Sequence, residues 1–393
     1  MNKKILFVTY RNFYPVKSGE KITMMQNLLI LSKKYDVDCL IMDKKSEKEQ
    51  SFDEIKKYSK NVFYFKQPNL FVRALNCLKF LILKKPIQNG YFYSRKMNKF
   101  VHKNSENYDG IFFMHMRTAQ YGLKISTKKY IDCPDCITMN SFNEFKNSKG
   151  LKRLIYRFDY KNVKRFEATK YREFDGVFVI NNRDKKQLIE LDNKLEHKVY
   201  LLQNYVRDLG MLDNLSEKRN EICFLGRMAY GPNILAIDNF VKNIYPRLKE
   251  QFPNLIFNIY GGSVVGKIKK LTKIDGVIVH GYVENVAKEI QQNRFVVAPM
   301  ISGSGTQNKI LECMRLKKLV LTTQLGVDGL DNVSDEDIVV CNDNDDFVKK
   351  SLYFLSDESD IKKQIIEENA FRYVQNNFSF EISETQLLSK MEV

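Results

Sequence analysis

The 393-residue chain contains no run of about eighteen apolar residues, so a transmembrane helix is not expected. Lys3-Lys4 ahead of Ile5-Leu6-Phe7-Val8 imitates the start of a signal peptide. The apolar run ends at Arg11, however, and no small-residue cleavage site follows, so a first buried strand is the better reading. The seven cysteines are dispersed and odd in number, which argues against a secreted disulfide framework. Cys133 and Cys136 have the spacing of a redox or half-zinc motif. No second pair and no His-x-x-x-His supplies further zinc ligands, and Ile137-Thr138 does not read as the helix start a thioredoxin-like unit needs. Structural cysteines are therefore expected. No short-period repeat and no low-complexity tract is present.

What the chain does have is charge and apolar bulk. Lysine and arginine total 64 against 47 acidic residues, a net charge of +17, which favours anionic partners: phospholipid, nucleic acid or phosphorylated substrates. A hydrophobic share of 44% is enough for two ordinary cores.

Short apolar runs alternate with helical stretches. Strands are expected over 5–10, 37–42, 62–65, 110–115, 129–131 and 176–180, with a helix over 20–34. A second series places strands over 222–225, 255–260, 277–280, 295–298, 319–323 and 338–340, with a helix over 234–251. Continuous apolar strands separated by helices indicate parallel sheets covered on both faces. The polar stretch 206–220 suits a linker, and 361–378 is strongly helical. The expected fold is α/β, with two Rossmann-like, doubly wound domains and a cleft between them. Residues 1–205 form the first domain and 206–370 the second. A helical segment over 371–393 packs back on the first. In such sheets ligands bind beyond the carboxyl ends of the strands.

The most informative stretch runs from Ala298 to Glu312. A buried strand enters a small-residue loop containing Ser304 and Gly305, and a helix is expected to begin near Gly305. Free N–H groups at a helix start suit a diphosphate. Thr306 offers a hydroxyl, Lys309 a positive charge one turn on, and Glu312 a carboxylate for the two hydroxyls of a ribose. The same spacing fits a capped helix with a surface Lys–Glu pair. Gly226-Arg227 ends the first strand of the second series, where an arginine grips phosphate bidentately or caps a neighbouring helix. Gly19 stands in the first strand-to-helix turn. His115 ends a strand and either contacts a sugar or is an ordinary core histidine. His280 precedes Gly281-Tyr282, read as backbone contact to a base. Gly261–Lys267 nearly spells a P-loop, but Ile268 stands where Ser or Thr should hold magnesium. Asp343-Asn344-Asp345 reads as a helix cap rather than a metal site.

Two basic helices stand out in the first half. Leu151, Leu154, Ile155 and Phe158 share one face of a helix that also carries Arg153, Arg157, Lys161 and Lys164. A second pattern, Phe71, Ala74, Leu75, Leu78 and Ile82, lies among Arg73, Lys79, Lys84 and Lys85. Weak binding to an anionic membrane or a half-buried helix with a solvated lysine face both fit.

Gly226-Arg227 followed by Tyr230-Gly231-Pro232-Asn233, the stretch Ser302 to Glu312, and Thr322 to Leu330 together resemble the group 1 (family 4-like) retaining glycosyltransferases of GT-B fold. The resemblance covers nearly the whole chain. It implies a nucleotide-sugar donor of UDP or GDP type. Arg227 and Lys309 would neutralise the leaving diphosphate, Glu312 would bind ribose, and Gly305, Thr306 and Gln307 would meet phosphate. Gly19 would approach the donor and His115 the transferred sugar. The chain departs from the family at Ser304, where many relatives have a glutamate that contacts the transferred sugar. No cofactor and no metal is expected. The partners implied are the donor, a cell-surface glycan or lipid-linked acceptor, and an anionic membrane surface. Cytoplasmic residence with peripheral attachment to the inner face of the cell membrane follows, as does a role in polysaccharide biosynthesis. The rival readings are a nucleotide-sugar epimerase and a basic nucleic-acid-binding protein. The second lacks aromatic interleaving and any known reader motif, so no nucleic acid is expected.

Overall fold

The computed structural model describes residues 2–16, 18–44, 52–212, 215–303 and 306–393. The chain divides into two compact units, one of residues 1–204 with 383–393, the other of residues 205–382.

In the N-terminal unit, strands β1 (Lys4–Thr9), β2 (Asp36–Asp43), β3 (Asn61–Lys66), β4 (Gly110–Met114), β5 (Lys128–Asp132), β6 (Gly176–Val179) and β7 (Val199–Leu201) form one sheet in the order β3-β2-β1-β4-β5-β6-β7. The described pairs are parallel; Ile5 lies opposite Val37 on one side and Gly110 on the other. Ile5 to Val8 are fully buried, as a strand covered on both faces demands. The sequence pattern missed only β7, whose three residues are too few to carry a period. Helix α1 (Gly19–Lys34) follows β1. Helices α2 (Leu70–Ile82) and α3 (Ile87–Tyr91) follow β3, and the short α4 (Met116–Ala119) follows β4.

One expectation fails here. Helix α5 (Ile137–Asn147) begins directly after Cys136. Its first turn is capped from afar: the buried Glu167 accepts the N–H groups of Ile137 and Thr138, both at 2.9 Å. No local capping residue announces this start. Cys133 is hydrogen-bonded to the Tyr171 hydroxyl at 2.9 Å, and both cysteines are buried free thiols pushed up by burial. They are poor thiolates. Helix α6 (Gly150–Lys170) carries Glu167.

The C-terminal unit has strands β8 (Lys218–Leu225), β9 (Ile256–Tyr260), β10 (Val277–Gly281), β11 (Asn293–Ala298), β12 (Val320–Thr323) and β13 (Val339–Cys341), in the order β10-β9-β8-β11-β12-β13. Alternation along the strands feeds two cores. Ile222, Phe224, Phe295 and Val297 join one face; Cys223, Val296 and Ala298 join the other.

The helix expected over 234–251 is two. Helix α7 (Gly231–Asn239) and helix α8 (Tyr245–Gln251) are joined by a π-turn over Phe240–Ile244. Pro246 would clash with the carbonyl four residues before it. The wider turn, in which the Tyr245 N–H reaches Phe240 O, carries the chain past that clash. Helix α9 (Asn308–Arg315) follows β11. Helix α10 (Asp360–Asn377) buries Ala370, Tyr373 and Val374 in the C-terminal core. From Ser383 the chain belongs to the N-terminal unit, where the Ser383 hydroxyl donates to Gln203 O at 2.7 Å.

Candidate functional site: a desolvated lysine at the strand tips of the C-terminal unit

Strands β8 and β11 are the two central strands of the C-terminal sheet, and their carboxyl ends deliver Gly226-Arg227 and the loop to α9. The turn after β8 is tight. The Gly226 N–H donates to Tyr260 O at 3.0 Å, and a β-carbon at Gly226 would sit 2.5 Å from Asn233 Nδ2. A larger residue at this position would displace the Asn233 amide. Asn233 uses both ends of its amide. Its Nδ2 donates to the Arg227 carbonyl at 3.0 Å, and its Oδ1 accepts Lys309 Nζ at 2.6 Å. Arg227 itself is exposed.

The surroundings of Lys309 are unusual for a lysine. Its ammonium lies 3.0 Å from Met300 Sδ and 4.7 Å from the Phe224 ring centre. Among the described residues no carboxylate pairs with it. Burial pushes its pKa down to about 7. A desolvated cation without a counter-ion costs stability; a bound anion would remove that cost. Three residues on, burial raises the Glu312 carboxyl above its ordinary range, opposed by the charge of Arg207. Arg207 comes from the stretch read as a linker, so nothing in the sequence pattern pointed to it.

Helix α9 starts at Asn308, three residues later than expected, with Gln307 as its N-cap and no side-chain cap. The preceding Gly303 has φ +121°, which keeps the loop out of helix. Asn308 and Lys309 therefore stand at the helix start, where N–H groups lack intrahelical acceptors. The Thr306 hydroxyl donates to Gly329 O at 3.2 Å, so its proton is already committed. Ser304 and Gly305 lie outside the described residues. Gly281 ends β10, and its carbonyl accepts the Gly261 N–H at 2.7 Å; Tyr282 beyond it is exposed. His280 is held by Asn258 at 2.8 Å and stacks on Tyr260. The P-loop look-alike forms only the short helix Gly266–Lys269. Asp343 is an N-cap, accepting the Asp346 N–H at 2.8 Å.

A second group lies at the carboxyl end of the N-terminal sheet. Gly19 opens α1, and a side chain there would meet nothing within 4 Å, so packing does not require glycine. Lys17 of the same turn lies outside the described residues. Glu20 bridges Arg11 at 3.1 Å and Arg117 at 3.2 Å, a pairing no sequence spacing reveals. His115 stands just past β4 as the N-cap of α4, with φ +69°. Its Nδ1 accepts the Arg117 N–H at 3.2 Å. Burial, then the charges of Arg117 and Arg11, hold its pKa well below the histidine range. The ring is neutral, with its proton on Nε2, and so presents a donor.

Known proteins resemble this chain in sequence and in fold. Residues 219–357 match the family model described as Glycosyl transferases group 1. A 44.6 kDa protein from the cps region of Klebsiella pneumoniae, itself described as uncharacterized, is 24% identical over 395 residues, covering 95% of this chain and 96% of that protein. Among solved structures, TarM superposes with a TM-score of 0.69 at 13% identity, covering 100% of this chain and 99% of its own. HepE from Anabaena, solved with UDP and glucose, gives 0.63 at 13%, covering 99% of both chains. WaaG, a glycosyltransferase involved in lipopolysaccharide biosynthesis, gives 0.65 at 12%, covering 97% and 98%. The chain thus carries a group 1 glycosyltransferase domain over residues 219–357, which spans Arg227 and Lys309, and has a GT-B fold along its length.

Proposed function

We propose that the protein is a retaining, metal-independent transferase that moves a sugar from a UDP- or GDP-type nucleotide sugar to a cell-surface glycan or a lipid-linked acceptor. The observation that carries this reading is Lys309, a half-buried, desolvated ammonium that pairs with no carboxylate among the described residues and is tied through Asn233 to the Arg227 turn. Such a site wants an anion, and a diphosphate is the anion every nucleotide sugar carries. HepE was solved with UDP and glucose, which supports the donor class. The cps-region relative and WaaG support a cell-surface product.

In this mechanism the donor diphosphate departs on the face that the acceptor hydroxyl attacks. Arg227, Lys309 and the first N–H groups of α9 take up the charge of the leaving group. Two cations do the work a metal ion does elsewhere. Ser304, Gly305, Thr306 and Gln307 line the phosphate, Thr306 through its backbone. Glu312 accepts the ribose hydroxyls, while Gly226, Gly281 and Tyr282 approach the base. Gly19 approaches the donor, and His115 donates from Nε2 to the transferred sugar.

A panel of nucleotide sugars, scored by thermal stabilisation and slow hydrolysis, tests the donor site. One of them at about a hundred times its Kd should stabilise the protein by about 2.7 kcal/mol, and Glu312→Ala should weaken that response. Absence of any response across UDP and GDP sugars would end this reading.

Membrane attachment is part of the proposal. Among the described residues no helix is long and apolar enough to cross a membrane. Yet the apolar stripes of α2 and α6 face outward: Leu70 is 73% exposed, Ile82 70% and Leu151 75%. Lys79, Lys84, Arg153 and Arg157 flank them and are exposed. Apolar residues rimmed by cations suit an anionic leaflet. The protein should float with anionic vesicles and not with neutral ones, and Leu78→Asp with Phe158→Asp should abolish flotation. Equal recovery with both lipids would contradict the attachment.

A further inference from the structure

Four carboxylates near the carboxyl ends of β1, β5 and β6 find their donors within the chain. Glu20, after β1, bridges Arg11 and Arg117. Asp132, the last residue of β5, accepts the Asn27 amide at 2.6 Å. Glu167 of α6 accepts the Ile137 and Thr138 N–H groups. Asp184, in the helix Asn182–Leu191 that follows β6, accepts the Cys136 N–H at 3.3 Å and Asn181 Nδ2 at 2.8 Å.

Asp135 is different. It stands in the loop from β5 to α5 and is partly buried. Among the described residues its carboxylate makes no hydrogen bond and no ion pair. The charges around it are Asp184, Arg183 and Glu20, and burial, the largest cause, pushes its pKa up to about 6. At neutral pH the group is therefore an ion, drawn partly out of water with no donor supplied by the chain. It is not enclosed: the side chains of Arg183 and Glu20 beside it are 32% and 40% exposed.

Its position gives it a companion. The His115 N–H donates to the Asp132 carbonyl at 2.6 Å, which ties together the ends of the adjacent strands β4 and β5. His115 presents a donor from Nε2, and Asp135, three residues beyond that bond, presents two acceptor oxygens. A donor near an acceptor suits hydroxyl groups, which both give and take a hydrogen bond. An anion suits the place poorly. Asp184 and Glu20 would repel it, and the arginines are engaged, Arg11 and Arg117 by Glu20 and Arg183 by Asp184 at 3.6 Å. Among the described residues no group of three His, Cys, Asp or Glu side chains could hold a metal ion.

We propose that Asp135 is a sugar-recognition residue whose carboxylate accepts two hydroxyls of a neutral sugar. That sugar is the one transferred or the one that accepts it; the chemistry at Asp135 is the same, and the experiment separates the two. The inference rests on the transferase reading and adds a specificity-determining residue to it.

The test compares full-length wild type with Asp135→Asn, which keeps the shape and removes the charge. Its probes are the nucleotide sugar that stabilises the wild type, the matching nucleoside diphosphate, and octyl glycosides of glucose, galactose and N-acetylglucosamine. The glycosides are scored as acceptors and, by saturation-transfer NMR, as bound ligands. Asp135→Asn should leave nucleoside diphosphate affinity unchanged and should hold or raise Tm, because a poorly solvated charge is removed. Asp135→Ala covers the case in which asparagine prevents folding. A loss of at least tenfold in nucleotide-sugar affinity supports the inference and assigns Asp135 to the transferred sugar. A rise of at least tenfold in glycoside KM, or loss of glycoside binding, at constant nucleotide-sugar affinity supports it and assigns Asp135 to the acceptor sugar. No difference between wild type and variants in any of these measurements overturns it. A parallel loss of nucleoside diphosphate affinity, or a fall in Tm with all binding reduced in proportion, also overturns it, since the carboxylate then serves the diphosphate or the fold. Failure of wild type to bind any nucleotide sugar strikes the transferase reading instead.

Discussion

Replacing Lys309 with methionine is expected to lower kcat/KM about 10²–10³-fold, the usual effect of removing one charge-stabilising donor, and at the same time to make the protein more stable. The two effects have one cause. The ammonium is packed, half-buried, against Phe224 and Met300, and among the described residues its oxygen partner is the neutral Asn233 amide. Methionine fills similar space without a charge to desolvate. Replacing buried ions with apolar side chains of similar volume gains roughly 1–4 kcal/mol in favourable cases, and Tm should rise by several degrees. A structural lysine would behave oppositely, its loss lowering Tm with little effect on turnover. Steady-state kinetics beside a melting curve separates the two.

Donor affinity should depend on pH through the same residue. In the free protein the Lys309 pKa is pushed down to about 7, far below that of lysine in an unfolded chain. Below pH 7 the ammonium is formed and the diphosphate meets a cation. Above pH 7 the free protein loses that proton, and binding must take one up. Affinity for a nucleotide sugar should therefore be flat on the acid side and fall toward tenfold per pH unit above about pH 7. Calorimetry in buffers of different ionisation enthalpy should show the proton uptake directly. The stability linkage has its own sign. Between the folded pKa of about 7 and the ordinary lysine value, the unfolded chain holds the proton and the folded one does not. Stability of the free protein consequently rises with pH through that window. Lys309→Arg, whose charge does not titrate, should flatten both dependences. A donor affinity that stays constant across pH 7 to 9 would remove Lys309 from the phosphate site.

Much of the fold was legible because parallel sheets write themselves as apolar runs. Ile5 to Val8 and Phe295 to Ala298 are buried on both faces, and nothing in their environment hides the pattern. Helix boundaries were less legible. The start of α9 lies at Asn308 rather than near Gly305, and the break before Tyr245 reflects a proline whose clash is absorbed by a π-turn. The start of α5 is set by Glu167, thirty residues away. Such long-range caps leave no local trace.

At the candidate site, spacing and resemblance single out Arg227, Lys309 and Glu312, whereas Asn233 enters only as the last residue of a motif. In the structure it is the amide that ties Lys309 to the Arg227 turn. The outward face of α2 was equally hidden. Helical spacing shows that Phe71, Leu75, Leu78 and Ile82 share a surface, but not whether that surface meets protein, water or lipid. Only the burial of Arg73 on the opposite side shows which way the helix is turned.

The central claim is met most directly by a crystal structure with an unhydrolysed nucleotide sugar bound. The diphosphate should lie within hydrogen-bond distance of Lys309 Nζ, the Arg227 guanidinium and the first N–H groups of α9, with Glu312 on the ribose. A donor bound in the crystal with its diphosphate away from Lys309, and that ammonium still facing Asn233 alone, would contradict the account.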